Sequence, residues 1–345
     1  MSVQKKVIGE LEKCYSLALL GYQGKKHFLA ASEKVNQCRM YDLEGNLEEV
    51  LWEQPGGVMT MVPVPGTDGQ ILATQRFYSP NDSKEASIIS AVPEEDGWKI
   101  RTLAKLPFIH RFDILQSGSR KYLIACTLKS GHEYKDDWSE PGKVYGALLP
   151  DDVTVFDDDH PLQLEVIREN MLRNHGYFKR VKDGREEAVI ACEQGVFRFV
   201  PPSDRQADWE VEQLLSLPVS DALMMDLDGC GEEELLVFSP FHGDTISIFK
   251  IMDGSYCKVY EHPEKLEFLH AICCGYLEGM PAAFVGFRKG EQELLALMSD
   301  GRGGFKHQVL DRGCGPANVV YFKKEGKDFL IAANREIDEI AMYTL

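Results

Sequence analysis

Four histidines in this chain stand where a short apolar run begins or has just ended: His110 ahead of RFDILQ, His175 ahead of GYFKRV, His270 ahead of AICCGY, and His242 just after ELLVFSPF. Neutral imidazoles brought around one axis supply nitrogen donors to zinc, manganese or another divalent ion and leave coordination positions open to a substrate. His110, His175 and His270 share the same place relative to their runs and are the first-choice ligands, with His242 as the alternative or the fourth. An ion held there polarises a carbonyl and stabilises the enolate formed when the neighbouring carbon loses its proton. A base is then required. His132, in LKSGHEYKDDWSEPGKVYG, brings an imidazole, the side chain best suited to moving protons near neutral pH, in a loop long enough to close over such a site. Lys129 and Asp137 from the same segment complete the candidate catalytic set. Arg76, Glu193, Asp221, Arg288, Asn318 and Arg335 are the candidates for binding substrate, with the arginines suited to a carboxylate or to ring oxygens.

The elements that position these residues are strands. Runs rich in Val, Ile, Leu, Phe and Tyr recur from end to end, separated by Gly, Pro, Asp and Asn, and no long amphipathic helix pattern interrupts them. The stretch from 217 to 250, LPVSDALMMDLDGCGEEELLVFSPFHGDTISIFK, reads as a turn-linked set of three strands that cannot bury its apolar face alone, which implies an array. Inner strands begin near residues 15, 58, 110, 175, 221, 270 and 318. Charged, alternating outer strands follow at 47–54, 98–106, 164–170, 209–215, 257–263 and 305–311, one fewer than the inner strands. The run VQKKVIGEL at 3–11 has the missing outer-strand pattern. The expectation is an all-β, seven-bladed β-propeller over residues 1–345, a single domain whose N-terminal strand completes the last blade, because closure removes exposed sheet edges. The third blade carries an insertion at about 128–161. In that topology inner-strand starts and second-strand ends open on one face, so the four histidines converge there and His132 lies above them.

The acidic turn Asp226-Leu227-Asp228-Gly229-Cys230-Gly231, followed by Glu234, falls on the opposite face. Asp226, Asp228 and Glu234 are candidate oxygen ligands for a structural calcium or magnesium ion, although Cys230 replaces an acid with a poor ligand for a hard cation. The competing reading is a turn held by its own Asp side chains.

Composition narrows the function classes. A formal charge of −17 disfavours nucleic-acid binding, which depends on clustered Lys and Arg. No run is apolar enough to cross a membrane, and the N-terminus carries charges where a signal peptide needs an apolar core. Nine cysteines, an odd number lying mostly inside apolar runs with no CxxC pair, read as buried thiols in a cytoplasmic protein. P-loop, GxSxG and HExxH motifs are absent from the sequence.

The segments IHRFDIL, CTLKSGHEYKDDWSEPGKVY, RNHGYF, FSPFHGDTISIFK and AANREIDEIAMY resemble the propeller domain of aldos-2-ulose dehydratase, and the acidic turn resembles FG-GAP and VCBS propeller repeats. That resemblance implies a zinc-dependent dehydration of a keto-sugar, with a histidine abstracting the proton beside the carbonyl and the base and ligands drawn from His110, His132, His175, His242 and His270. The cupin domains that follow the propeller in that enzyme have no counterpart in this sequence. The function expected is a carbon–oxygen lyase of carbohydrate metabolism, eliminating water or an alkoxyl group from a small keto-sugar or oxidised glycoside. The alternatives are a non-catalytic propeller that binds a protein or glycan, and a lyase acting on uronate oligosaccharides.

Overall fold

The computed structural model describes residues 3–204 and 207–345, and these form seven four-stranded antiparallel sheets. The inner strands of blades 1 to 7 are Cys14–Tyr22, Met61–Pro63, Ile109–Ser117, Gly176–Lys182, Asp221–Met225, Leu269–Leu277 and Asn318–Lys324. Each contacts the inner strand of the next blade, and that of blade 7 contacts blade 1, so the ring closes. The closing strand is Gln4–Glu10, which pairs antiparallel with Glu339–Thr344 and supplies the outer edge of blade 7. Lys5 adds ion pairs of 2.8 Å to both Asp311 and Glu339 at this seam.

The pattern of burial explains the architecture. The second strands Glu234–Ser239 and Met280–Phe287 are buried over most of their length, because each blade lays its apolar faces against both neighbours. The outer strands remain largely exposed or half-buried; Glu165–Met171 and Ser255–Glu261 are examples. Two one-turn 3-10 segments, Val153–Val155 and Arg335–Ile337, are the helical elements among the described residues. None of the helices is long and apolar enough to cross a membrane. All nine cysteines are free, with Cys14, Cys38, Cys126, Cys192 and Cys314 buried.

The expected insertion in blade 3 resolves differently from its sequence boundaries. Gly142–Leu149 is the regular third strand of the blade, so residues 128–161 are two loops rather than one excursion. Residues 128–141 follow the second strand and lie on the face where inner strands begin, whereas 150–164 lie at the other end. Gly142 and Gly146 in this strand serve close packing: a Cβ on Gly142 would meet the Thr127 carbonyl oxygen at 1.8 Å.

Candidate metal centre

Three residues of the channel are placed by one device. In blades 1, 3 and 6 the pairing of inner and second strand skips a residue, and the skipped residues are Tyr15, His110 and His270. A β-bulge re-aims the extra side chain. The turn into each bulge uses a left-handed residue two positions earlier: Lys13, Phe108 and Phe268 have φ of 49°, 63° and 65°. Blade 4 has the same turn at Arg173, φ 53°, and presents His175 just before its inner strand.

His175 is fixed from blade 5. Its Nδ1 lies 2.8 Å from Asp221 Oδ2, and Ser220 Oγ donates to the same carboxylate oxygen at 3.0 Å. Gly176 permits this approach, since a Cβ there would meet the Ser220 carbonyl oxygen at 2.6 Å and Asp221 Cα at 2.7 Å. His270 is fixed in the same way by main chain, with Nδ1 2.7 Å from the Ala317 carbonyl oxygen. A carboxylate and a carbonyl only accept, so both rings carry their proton on Nδ1 and turn an Nε2 lone pair toward the channel.

His242 comes from the loop after the second strand of blade 5, in the left-handed region at φ 47°. Its ring is sandwiched between Phe241 and Phe268, with centroid separations of 4.0 and 4.3 Å, and each phenyl is capped by a guanidinium, Arg173 at 5.4 Å and Arg288 at 4.9 Å. His242 Nε2 stands 3.3 Å from His175 Nε2. Ligand atoms of His175, His242 and His270 all lie within 4.8 Å of one another. A tetrahedral zinc site with bonds of about 2.0 Å has an edge of about 3.3 Å, so the His175–His242 spacing fits two ligands of one ion.

His110 stands outside this group of three. Its ring lies 4.5 Å from that of His175, its Nε2 is 3.4 Å from the Tyr15 hydroxyl, and its Nδ1 makes no hydrogen bond. Burial, reinforced by neighbouring histidines and guanidinium groups, holds His110, His242 and His270 well below the ordinary imidazole range. All three rings are therefore neutral near pH 7, the state that ligates metals. His110, His175 and His270 are buried and His242 is partly exposed, so the channel opens over His242.

The remaining candidates divide. Asp221 belongs to the site through His175, and Asn318 supports it by donating to the Tyr15 main-chain oxygen at 2.8 Å. Arg288 and Arg335 reach the mouth but are paired, both to Glu336, at 2.7 and 2.9 Å, and Arg335 also to Glu33. Glu193 is paired with Arg173. Arg76 is exposed and makes no side-chain contact with the histidines among the described residues. Lys129 and Asp137 do not face the channel either. The Lys129 ammonium, fully buried, bonds Asn81 Oδ1 at 2.8 Å and the Asp137 main-chain oxygen at 3.0 Å, and lies over the Trp138 ring. The Asp137 carboxylate accepts the main-chain N–H groups of Glu133 and Ser139, each at 2.9 Å, which holds it down to about 2. Both tie down the loop; length and aromatic content suggested catalysis, but the charges are spent on the loop itself.

His132 packs edge-on against Phe108 at 5.7 Å, and neither ring nitrogen has a hydrogen-bond partner. Its loop meets the site through Trp138, 5.8 Å from Phe241. Tyr15, Phe241 and Phe268 are site residues that reasoning from histidines alone passed over. Tyr15 was legible as the blade-1 equivalent of His110, whereas the stacking of the phenylalanines needed the loops in three dimensions.

On the opposite face, Asp226 accepts the N–H groups of Gly229 at 2.7 Å and Gly231 at 2.9 Å, so the turn is held by its own side chain. Lys250 brings its ammonium to Asp228 and, at 3.1 Å, to Glu234. Ligand atoms of Asp226, Asp228, Cys230 and Glu234 still lie within 4.8 Å of one another, with the Lys250 ammonium supplying positive charge beside them. A groove of about 660 Å³ between blades 3 and 4, lined by Tyr122, Glu165 and Trp209 among others, shares no residue with the histidine cluster.

No family model and no curated protein matches the sequence. Among solved structures, the chain is similar to the Cps50 (Swd1) β-propeller domain of Myceliophteria thermophila, with a TM-score of 0.61 at 10% identity over 99% of this chain and all of that one. Streptogramin B lyase gives 0.57 at 11% identity, covering 99% of this chain and 98% of that one. The Dos1 propeller gives 0.56 at 9% identity, covering 95% and 76%. These likenesses show the propeller fold. They do not extend to aldos-2-ulose dehydratase, whose resemblance stays with the motifs quoted above.

Proposed function

We propose that this propeller is a metal-dependent lyase, with a divalent ion such as zinc or manganese held by Nε2 of His175, His242 and His270. The observation that carries the reading is the 3.3 Å between His175 Nε2 and His242 Nε2 beside an Asp221 that fixes the His175 tautomer. A histidine triad with a carboxylate behind one ring is a donor set for a borderline-soft ion, and three protein ligands leave a position for substrate. The ion would supply Lewis acidity to a carbonyl, acidifying the neighbouring carbon.

The residues of the chain do the rest. Phe241 and Phe268 hold His242 in place and form apolar walls on either side of its ring. Arg173 and Arg288, on the outer faces of those walls and paired with Glu193 and Glu336, are assigned the role of offering their remaining N–H groups to the oxygens of an oxidised sugar. His132, with neither nitrogen committed, is assigned the base that takes the proton beside the carbonyl. Elimination of a hydroxyl or alkoxyl group from a small keto-sugar follows from these parts. That the same fold includes a protein named a lyase, streptogramin B lyase, and propeller domains with other names means that the site, and not the fold, bears this reading.

The test is a screen of keto-sugars and oxidised glycosides with zinc- or manganese-loaded protein, followed by the ultraviolet absorbance of an unsaturated product. Activity that chelator abolishes and His242→Ala removes is expected. Loaded protein that binds these sugars without turning any over would favour the binding-propeller alternative.

A further inference from the structure

Tyr15 Oη lies 3.0 Å from His270 Nε2 and 3.4 Å from His110 Nε2, and it has one proton to give. Because the Ala317 carbonyl fixes the His270 proton on Nδ1, the hydroxyl donates to the His270 Nε2 lone pair. That lone pair is the one a metal ion held with His175 and His242 would use. Hydroxyl and ion compete for it.

An alternative acceptor is already in place. His110 Nδ1 has no hydrogen-bond partner of good geometry, its nearest polar influence being the His175 main chain, and its Nε2 faces the same hydroxyl. With Oη 3.0 Å from Nε2, an ion about 2.0 Å along the same lone pair would overlap the oxygen, so the phenol must shift aside as the ion enters. The phenol ring is fully buried, stands edge-on to both His110 and His270, and is followed by a main-chain oxygen held by Asn318. A shift of the phenol off the His270 Nε2 axis, with rotation of the O–H toward His110 Nε2, redirects the proton.

We propose that Tyr15 is the gate of the metal site: its hydroxyl occupies His270 Nε2 in the metal-free protein and turns to His110 Nε2 when the ion binds. His110 is then the receiver of the displaced hydrogen bond rather than a ligand. The inference rests on the three-histidine metal site proposed above. In the free protein the gate satisfies a buried lone pair that would otherwise be orphaned, and it lowers metal affinity by the worth of one hydrogen bond.

The experiment measures zinc affinity by competition with a chromophoric chelator for the wild-type protein, Tyr15→Phe, His110→Phe and His242→Ala. Removing the hydroxyl is expected to tighten zinc about three- to tenfold. Removing the receiver is expected to weaken zinc, and Tyr15→Phe/His110→Phe should return to the affinity of Tyr15→Phe alone. In the wild-type protein, imidazole nitrogen resonances should show His110 Nε2 becoming a hydrogen-bond acceptor as zinc is added, a readout that needs no variant. Zinc binding that depends on His242 but is unchanged or weakened in Tyr15→Phe, or a His110 Nε2 resonance that zinc does not move, overturns the gate alone. No zinc binding by the wild-type protein overturns the metal site and the gate with it.

Discussion

His175 Nδ1 is bonded to Asp221 Oδ2 at 2.8 Å across the boundary between blades 4 and 5, and both side chains are buried. A carboxylate behind a ligating imidazole fixes its tautomer and raises its basicity. Replacing Asp221 by Asn keeps the shape and removes the charge, and zinc affinity should fall about 10- to 100-fold. Chelator competition reads this directly, and an unchanged affinity would remove Asp221 from the site.

Gly176 sets the distance between these two blades. Gly176→Ala places a methyl group against the Ser220 oxygen and Asp221 Cα, and the backbone on one side must give way. Metal affinity should drop along with thermal stability, by about 1–3 kcal/mol for an overpacked site. Retention of both would mean that the close approach is not needed.

The histidines make the apo protein acid-sensitive. In an unfolded chain they protonate near pH 6.5, whereas burial holds the folded pKa values of His110, His242 and His270 well below that. The unfolded state therefore binds more protons, and the stability these rings contribute is complete above about pH 6.5 and is lost as pH falls toward the folded values. The Tm of metal-free protein should fall between pH 7 and pH 5. His110→Phe, which is outside the ligand group, should make that fall shallower; an equal slope would contradict the assignment.

Lys250 stands among the carboxylates of the blade 5 turn, where Asp228 is held down to about 2 by its ammonium. Thermal stability of the wild-type protein should accordingly not respond to calcium or to chelator on account of this turn. Lys250→Met leaves Asp228 and the buried Glu234 without a counter-charge and should cost about 1–2 kcal/mol, the ammonium being partly exposed. Added calcium should then recover part of the loss, and melting curves with and without calcium decide it.

Lys129 ties residues 128–141 to Asn81. Lys129→Met should expose that loop to limited proteolysis while leaving zinc affinity near the wild-type value. A fall in zinc affinity would instead place Lys129 at the site.

The ring, its closing strand and the shared face of the four histidines were legible because they follow from period-two runs and from blade topology. The closeness of His242 to His175 was not, because it depends on a left-handed turn at His242 and on phenyl rings from two loops. The bulges at Tyr15, His110 and His270 leave no composition signature, yet they decide which side chains enter the channel. Lys129 and Asp137 were read as chemistry because sequence gives residue types and not their partners. The acidic turn shows the same limit: its ligand pattern is plain in the sequence, but Lys250 reaches it only through strand pairing.

The central claim is one ion on three histidines, and anomalous X-ray scattering at the zinc edge from zinc-soaked crystals tests it most directly. The account predicts a single channel peak about 2.0–2.1 Å from Nε2 of His175, His242 and His270. A channel without a peak, or a peak ligated by His110 in place of His242, would contradict it.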